Sequence, residues 1–304
     1  MIGIDGAEVS LSGVQVWEFE VTVVEPSQLT FITTCKGRLA HLQRSLPHML
    51  AQGGARVVVV DYDCPDGTAA WVRSSHPDVK VVRVENTPGF NIARARNLGA
   101  AAAETDWFAF LDADILLSPE FTRAVLPTLQ PNLYFRAKPV TRQNWGTVVC
   151  SRHNFLKAGG YDENYAGWGG EDDDFYETLQ WCGARRASFP GALLTEVTHS
   201  DELRVRFHQT SKVMSLRINQ HYRRIKFDLM NLARARLPEN DRREIYQKVT
   251  GAMLELEKGT EQECTVTLKL ADLQFVPPAT DSTQAPLRVA RMSRVIQYGL
   301  KLQP

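Results

Sequence analysis

The sequence holds no apolar run approaching the roughly 20 residues that a membrane-spanning helix requires. Its opening, MIGIDGAEVS, lacks a basic stretch followed by an apolar core. These absences lead us to expect a cytoplasmic protein, peripheral at a membrane surface at most. Cysteine is scarce: Cys35, Cys64, Cys150, Cys182 and Cys264 form no CxxC pair and sit mostly inside apolar runs. An odd set of this kind excludes a disulfide framework and fits free thiols in a reducing compartment. There is no internal repeat, and no excess of either charge, with 35 Lys+Arg against 35 Asp+Glu. Whole-chain charge therefore provides no attraction for nucleic acid, and no such partner is expected.

The charge that is present is unevenly spread. From Leu203 onward there are 18 Lys+Arg and 10 Asp+Glu, so the front of the chain is acidic and the tail basic. Such asymmetry predicts different partners for each part: a metal and a sugar in front, a phosphate-rich surface behind. The remaining composition, 43% hydrophobic over 304 residues, is that of an ordinary globular protein.

Hydrophobic periodicity divides the chain in three. Residues 1–26 read as a β extension, with strand character from Val14 to Val24. Residues 27–204 alternate short apolar strands (Leu29 to Thr34, Arg56 to Val60, Val79 to Val84, Trp107 to Leu111) with helices (Arg38 to Ala51, Thr68 to Ser75, Ile92 to Ala103). That alternation predicts a mostly parallel sheet covered on both faces, with ligands at the carboxyl ends of the strands. Beyond it we expect a helix from Ser118 to about Leu129, strands Leu133 to Val140 and Thr147 to Cys150, and a helix Glu171 to Cys182. Residues 205–304 read as a mainly helical, basic extension, with helices Val205 to Ala235 and on to about Glu257. A strand from Cys264 to Val276, a linker Pro277 to Pro286 and an amphipathic helix Leu287 to Leu300 complete it.

Three stretches concentrate chemistry. FAFLDADI, Phe108 to Ile115, is a hydrophobic strand ending in carboxylates at i and i+2, Asp112 and Asp114. At a sheet's carboxyl edge such a pair meets a divalent cation bridging two phosphates; the plainer reading is an acid pair capping the next helix. Upstream, Asp61 and Asp63 close the strand VVVV, and NIARARNLG sets two arginines and an asparagine on the helix preceding the DxD strand. GWGGEDDD, Gly167 to Asp174, places four mutually repelling carboxylates together, which predicts that some are paired, metal-bound or engaged with ligand. Its glycines allow close backbone approach, and Trp168 offers an apolar face to a sugar ring; the plainer reading is an acidic helix start beside a buried tryptophan. In TEVTHSD, Thr195 to Asp201, His199 is a candidate metal ligand, since imidazole with carboxylate suits Mn²⁺. A satisfied core or surface histidine is the plainer reading there.

On these residues the front half resembles the family 2 glycosyltransferases, through the strand Thr30 to Thr34, the Asp61 turn, ARNLG at Ala95 to Gly99 and LDAD at Leu111 to Asp114. GGYDENYAGWGGEDDD, Gly159 to Asp174, is similar to the C-terminal part of the family 7 galactosyltransferases, and chondroitin-polymerase-like enzymes show a similar blend. The resemblance implies a GT-A fold: α/β and Rossmann-like, with a mostly parallel central sheet and helices on both faces. It implies an inverting, metal-dependent transfer of a hexose or N-acetylhexosamine from a UDP-sugar to a hydroxyl of a glycan or glycoconjugate.

Position by position, it implies Asp114 and His199 as ligands of Mn²⁺ or Mg²⁺, and Asp112 on the ribose or metal-bound phosphate. Asp61 and Thr33 would hold the uracil, with Arg94 and Asn97 in the same nucleotide-sugar site. Asp172 would be the base, and Trp168, Gly170, Glu171 and Asp173 would meet the acceptor, with Trp168 on a mobile loop over the donor. Where the galactosyltransferases place a metal-binding methionine, this chain has Glu196, which leaves that ligand open. Two rivals stand beside this reading. Asp112-Ala113-Asp114 also resembles the nucleophile motif of haloacid-dehalogenase-like phosphohydrolases, where GWGGEDDD has no role; the other is a silent nucleotide-sugar binder. The basic C-terminal helices would complete the fold, contact a membrane or self-associate.

Overall fold

The computed structural model describes residues 9–11, 14–16, 24–198, 206–276 and 295–302. A small hairpin, β1 (Val9–Leu11) with β2 (Val14–Val16), precedes the main sheet. There follow β3 (Leu29–Cys35), α1 (Leu39–Leu50), β4 (Arg56–Tyr62), α2 (Thr68–Ser75), β5 (Lys80–Val84), α3 (Ile92–Ala102) and β6 (Trp107–Asp112). The second half adds β7 (Ile115–Leu117), α4 (Phe121–Val125), β8 (Leu133–Lys138), β9 (Val148–Ser151), α5 (Arg152–Ala158), α6 (Glu171–Trp181), β10 (Arg185–Pro190) and β11 (Leu194–Glu196).

Seven strands make one sheet in the order β10-β8-β9-β6-β3-β4-β5, all parallel except β9. The inner strands β3, β4, β6 and β9 are apolar on both faces, as expected for a sheet buried on both sides, while the edge strands β5 and β10 carry charged, exposed residues. On β3 and β6, Phe31, Ala109 and Leu111 face α1 and α4, while Ile32, Phe108 and Phe110 face α3, α5 and α6. Helix α3 lies unusually close: a Cβ on Gly99 would stand 2.4 Å from a methyl of Ile32, so only glycine fits there. This is the α/β arrangement expected from the sequence, a mostly parallel sheet with helices on both faces. The short pair β7–β11 stands off the main sheet beyond β6.

After residue 205 come α7 (Lys212–Ala233), α8 (Glu239–Lys258) and an antiparallel hairpin of β12 (Glu263–Lys269) and β13 (Val295–Lys301). They share a separate apolar core built on Ile218, Tyr222, Ile225, Val249 and Leu268, and Tyr165 of the α5–α6 connection inserts into it.

Two expectations need correction, and one element was missed. The C-terminal amphipathic helix does not form in the described part: Val295–Lys301 pairs residue for residue with β12, and the rest of that stretch lies outside the described residues. The helix from Ser118 is only Phe121–Val125 with a 3₁₀ turn Leu126–Thr128, because Pro127 lacks the N–H that a continuing α-helix would use. Helix α5, which patterning did not reveal, is capped by the Ser151 hydroxyl accepting from Asn154 N and closed by Gly159 at φ +80°. All five cysteines are free thiols, as expected.

Candidate active site

Parallel strands deliver their carboxyl ends to one edge, and a cavity of about 500 Å³ opens there. Residues following β3 (Lys36, Arg38), ending β6 (Asp112, Asp114) and opening α6 (Glu171, Asp172, Asp173) line it, together with Trp145, Trp168 and Phe207. Lys36 ties the edge together: its ammonium donates to the carbonyls of Tyr62, Asp63 and Thr87 at 2.7–3.1 Å, joining the loops after β3, β4 and β5.

The DxD pair is divided between two arginines. Asp114 pairs with Arg38 at 3.1 Å, and its backbone carbonyl accepts from Val197 N at 2.8 Å. Asp112 pairs with Arg96 at 3.0 Å. Arg96 projects from α3, is only 2% exposed, and sends its other terminal nitrogen to Asp172 at 2.7 Å, with Glu171 at 3.6 Å. Tyr161 underlies the guanidinium, 5.0 Å from its ring centroid. Burial opposes the charge of Arg96, but Asp172, Tyr161 and Asp112 outweigh it and hold the guanidinium well above its ordinary value.

The acidic run opens α6 after a chain of left-handed glycines. Gly170 has φ +99°, and a Cβ there would stand 2.9 Å from Asn219 of α7, so this entry to the helix needs glycine twice over. Repulsion among the four acids is relieved by separate partners. Glu171 and Asp172 share Arg96. Burial, then Asp172, pushes Glu171 up to about 8, while burial raises Asp172 against the pull of Arg96. Asp173 sits at the rim, accepting from the Trp145 indole N–H at 3.1 Å and pairing with Arg223 at 3.2 Å. Asp174 turns away from the cavity to Lys226 (2.8 Å) and the Tyr165 hydroxyl (3.0 Å). Lys226 also holds Asp162, whose carboxyl is kept far below its ordinary value despite burial by Lys226 and Arg242.

The connection from β8 to β9 closes over the carboxylates. The Trp145 carbonyl accepts from Arg136 (3.1 Å) and the Tyr176 hydroxyl (2.7 Å), and a Cβ on Gly146 would stand 2.8 Å from Arg96 Nη2 and 3.0 Å from Asp112 Oδ2. Trp145 is 41% exposed at the mouth. Trp168 is half-buried across from the acids, with the Lys212 ammonium 4.4 Å over its ring.

Of the residues expected to act, Asp112, Asp114, Trp168, Gly170, Glu171, Asp172 and Asp173 meet in this cavity. Thr33, Asp61, Arg94 and Asn97 do not line it. Thr33 is fully buried and strand alternation turns Thr34 to the cavity instead. Both Asp61 oxygens accept from backbone, Cys64 N and Ala69 N, each at 2.7 Å. Asn97 bonds Tyr161 through backbone N and O and reaches Glu163, so it braces the connection before α6. Arg94 is exposed; two residues along, Arg96 takes the cavity side. His199 lies outside the described residues. Sequence reasoning missed Lys36 and Arg38, although their place just after the first sheet strand was the available signal. It also missed Arg136, Trp145 and Gly146, for which no motif was available.

Residues 30–165 match the sequence profile of glycosyl transferase family 2, and residues 136–203 match the one described as the N-terminal domain of galactosyltransferase. Beta-1,4-galactosyltransferase 1 of Bos taurus is 24% identical over 177 residues, covering 52% of this chain and 42% of that protein. The chain spans half or less of the length of the mammalian galactosyltransferases it matches. Among solved structures, S. aureus TarS 1-349 in complex with UDP-GlcNAc aligns with a TM-score of 0.54 at 14% identity, covering 74% of this chain and 72% of that one. Mannosyltransferase PcManGT from Pyrobaculum calidifontis, in complex with GDP-Man and Mn²⁺, aligns at 0.50 with 17% identity and 80% of each chain covered. The chain therefore has the GT-A glycosyltransferase fold, with a family 2 match along its front half that runs into a galactosyltransferase match across residues 136–203.

Proposed function

We propose that this protein is an inverting glycosyltransferase that moves a hexose or N-acetylhexosamine from a UDP-sugar to a hydroxyl of a glycan or glycoconjugate. The observation that carries the reading is the meeting of Asp112 and Asp114 with Asp172 in one cavity at the carboxyl edge of the sheet. Displacement at an anomeric carbon requires a proton acceptor on one side and a stabilised diphosphate on the other. Asp172 supplies the first. Its Oδ1 is held by Arg96, and among the described residues Oδ2 makes no hydrogen bond. Burial raises its carboxyl above the ordinary range, which improves it as a base; general-base assistance of this kind is worth about 10²–10⁴ in rate. With no enzyme nucleophile between donor and acceptor, direct attack inverts the anomeric centre.

The diphosphate side is basic as well as acidic, since Lys36 and Arg38 line it. A divalent metal fits Asp114, whose carboxylate is a hard oxygen donor on the cavity wall. Among the described residues no cluster of three ligating side chains is present. The remaining ligands in this reading are the diphosphate and His199, which follows two residues after the Val197 N–H bonded to Asp114. When bound, Mn²⁺ or Mg²⁺ would offset charge on the departing diphosphate. Trp168 and Trp145 line the same cavity and provide ring-sized apolar faces for an acceptor sugar.

The test is UDP release from a panel of UDP-sugars in Mn²⁺, with Asp172→Asn alongside. Asp172→Asn is expected to keep UDP binding by calorimetry and lose transfer by about 10²-fold or more. Activity close to wild type removes Asp172 as base. Equal UDP affinity in Mn²⁺ and in EDTA removes the metal.

A further inference from the structure

We propose that Arg96 is a positioning residue that couples the donor and acceptor halves of the site. Its single fork, Nη2 on Asp112 and Nη1 on Asp172, fixes which oxygen of the base faces the acceptor and how that oxygen lies against the donor. The inference rests on the glycosyl-transfer reading and adds to it a residue outside both acidic motifs.

Charge bookkeeping separates this cluster from an ordinary buried ion pair. On the far side of α6, two acids (Asp162, Asp174) meet two cations (Lys226, Arg242), a balanced arrangement closed to the cavity. Around Arg96, one cation meets three acids, Asp112, Glu171 and Asp172, at the cavity wall. A group placed only to neutralise would be matched to its partners; this one instead spans two segments that the reaction must bring into register. The planar guanidinium does so because its two terminal nitrogens are a fixed distance apart, whereas an ammonium is a single point. The fork is held from three directions. Its α3 backbone is pinned to the sheet by Gly99, Tyr161 lies under its plane, and the Gly146 backbone leaves no room over Nη2. Rigidity of this kind is what reaction geometry requires, since a misplacement of about 1 Å costs on the order of 10² in rate.

Around Asp172 the other charged or titratable neighbours are Arg136 from β8, Asp112 from β6, Tyr161 from the α5–α6 connection, and Glu171, Asp173 and Tyr176 from its own helix. Arg136 is engaged elsewhere: it stacks on Tyr176, with its Cζ 3.9 Å from the ring centroid, and donates to the Trp145 carbonyl. Among the described residues, only Arg96 forms ion pairs with both Asp112 and Asp172.

The test compares Arg96→Lys, Asp172→Asn and wild type by steady-state kinetics and by calorimetry of UDP. Arg96→Lys keeps the charge and loses the fork. The expected result is a kcat lower by about 10²-fold, with the KM of donor and acceptor and the UDP affinity each within about threefold of wild type. If Arg96→Lys does not fold, Gly146→Ala perturbs the same fork from the loop side and is expected to show the same kcat-only loss. An inactive Asp172→Asn beside an Arg96→Lys (or Gly146→Ala) of unchanged kcat overturns the coupling role alone. A loss of UDP affinity as large as the loss of kcat makes Arg96 a donor ligand and overturns it too. A wild-type protein without turnover, or an active Asp172→Asn, overturns the transfer reading and this inference with it.

Discussion

Glu171 and Asp172 are consecutive on α6 and share one guanidinium, so a proton on either relieves the other. Burial, and then Asp172, pushes Glu171 up to about 8 from an ordinary 4.5. At neutral pH the folded chain thus holds a proton there that the unfolded chain has released. The stability that this group contributes is fully present below pH 4.5 and is lost as pH rises toward 8. Glu171→Gln removes that loss. Relative to wild type, its stability is expected to rise between about pH 5 and about pH 8 by on the order of 1–4 kcal/mol, read from urea unfolding without added metal. A difference that stays flat across that interval would show that Glu171 titrates normally. The sequence announced the acid quartet but not its division of labour, because which acid faces the cavity depends on the rotation of α6. The same holds on α3. Arg94 and Arg96 are about 200° apart around a helix, so only one faces the cavity. Buried Ala93 and Ala100 lie three and four residues from Arg96, and that periodic face was the legible signal.

At the level of elements, α7 is tied to the acidic motif through its buried face. Lys226 is 4% exposed and serves Asp162 and Asp174, while Asn219 donates to the carbonyls of Ala166 and Gly169 in the glycine loop. Removing the lysine leaves two buried carboxylates with Arg242 alone. Lys226→Met is therefore expected to cost about 3–5 kcal/mol in urea unfolding, whereas Arg224→Met on the exposed side of the same helix costs at most about 0.5 kcal/mol. Equal effects from both would mean that the Lys226 cluster is not anchoring the loop. The alternation of strands and helices through β6 was legible because each apolar strand and amphipathic helix has its own period. The C-terminal hairpin was legible only in part: the strand read from Cys264 is β12, shorter than expected, whereas β13 has alternating exposure and pairs with β12 across a stretch that sequence pattern alone could not bridge.

For the whole molecule, the acidic front and basic tail find a use within the chain itself. From the tail, Arg223 pairs with Asp173, Lys226 with Asp162 and Asp174, and Arg242 with Asp162 of the front, so at these positions the charge asymmetry is complementarity between two parts of one fold. The apolar faces of α7 and α8 are likewise spent on the core they share with Tyr165. Among the described residues no helix is long and apolar enough to cross a membrane. The change of composition near residue 204 thus separates two apolar cores that ion pairs tie together, and both family matches end by residue 203. A chain ending at residue 204 would retain every matched position and lose Asn219, Arg223, Lys226 and Arg242 together. Asp162 and Asp174 would then lose both cations that hold them, and Tyr165 would lose the cluster that receives it. We expect such a chain to lose UDP-sugar turnover by at least about 10²-fold and the cooperative thermal transition of the full chain. Turnover within about threefold of the full chain would show instead that the acidic loop holds its geometry unaided, and that the helical unit is an appendage.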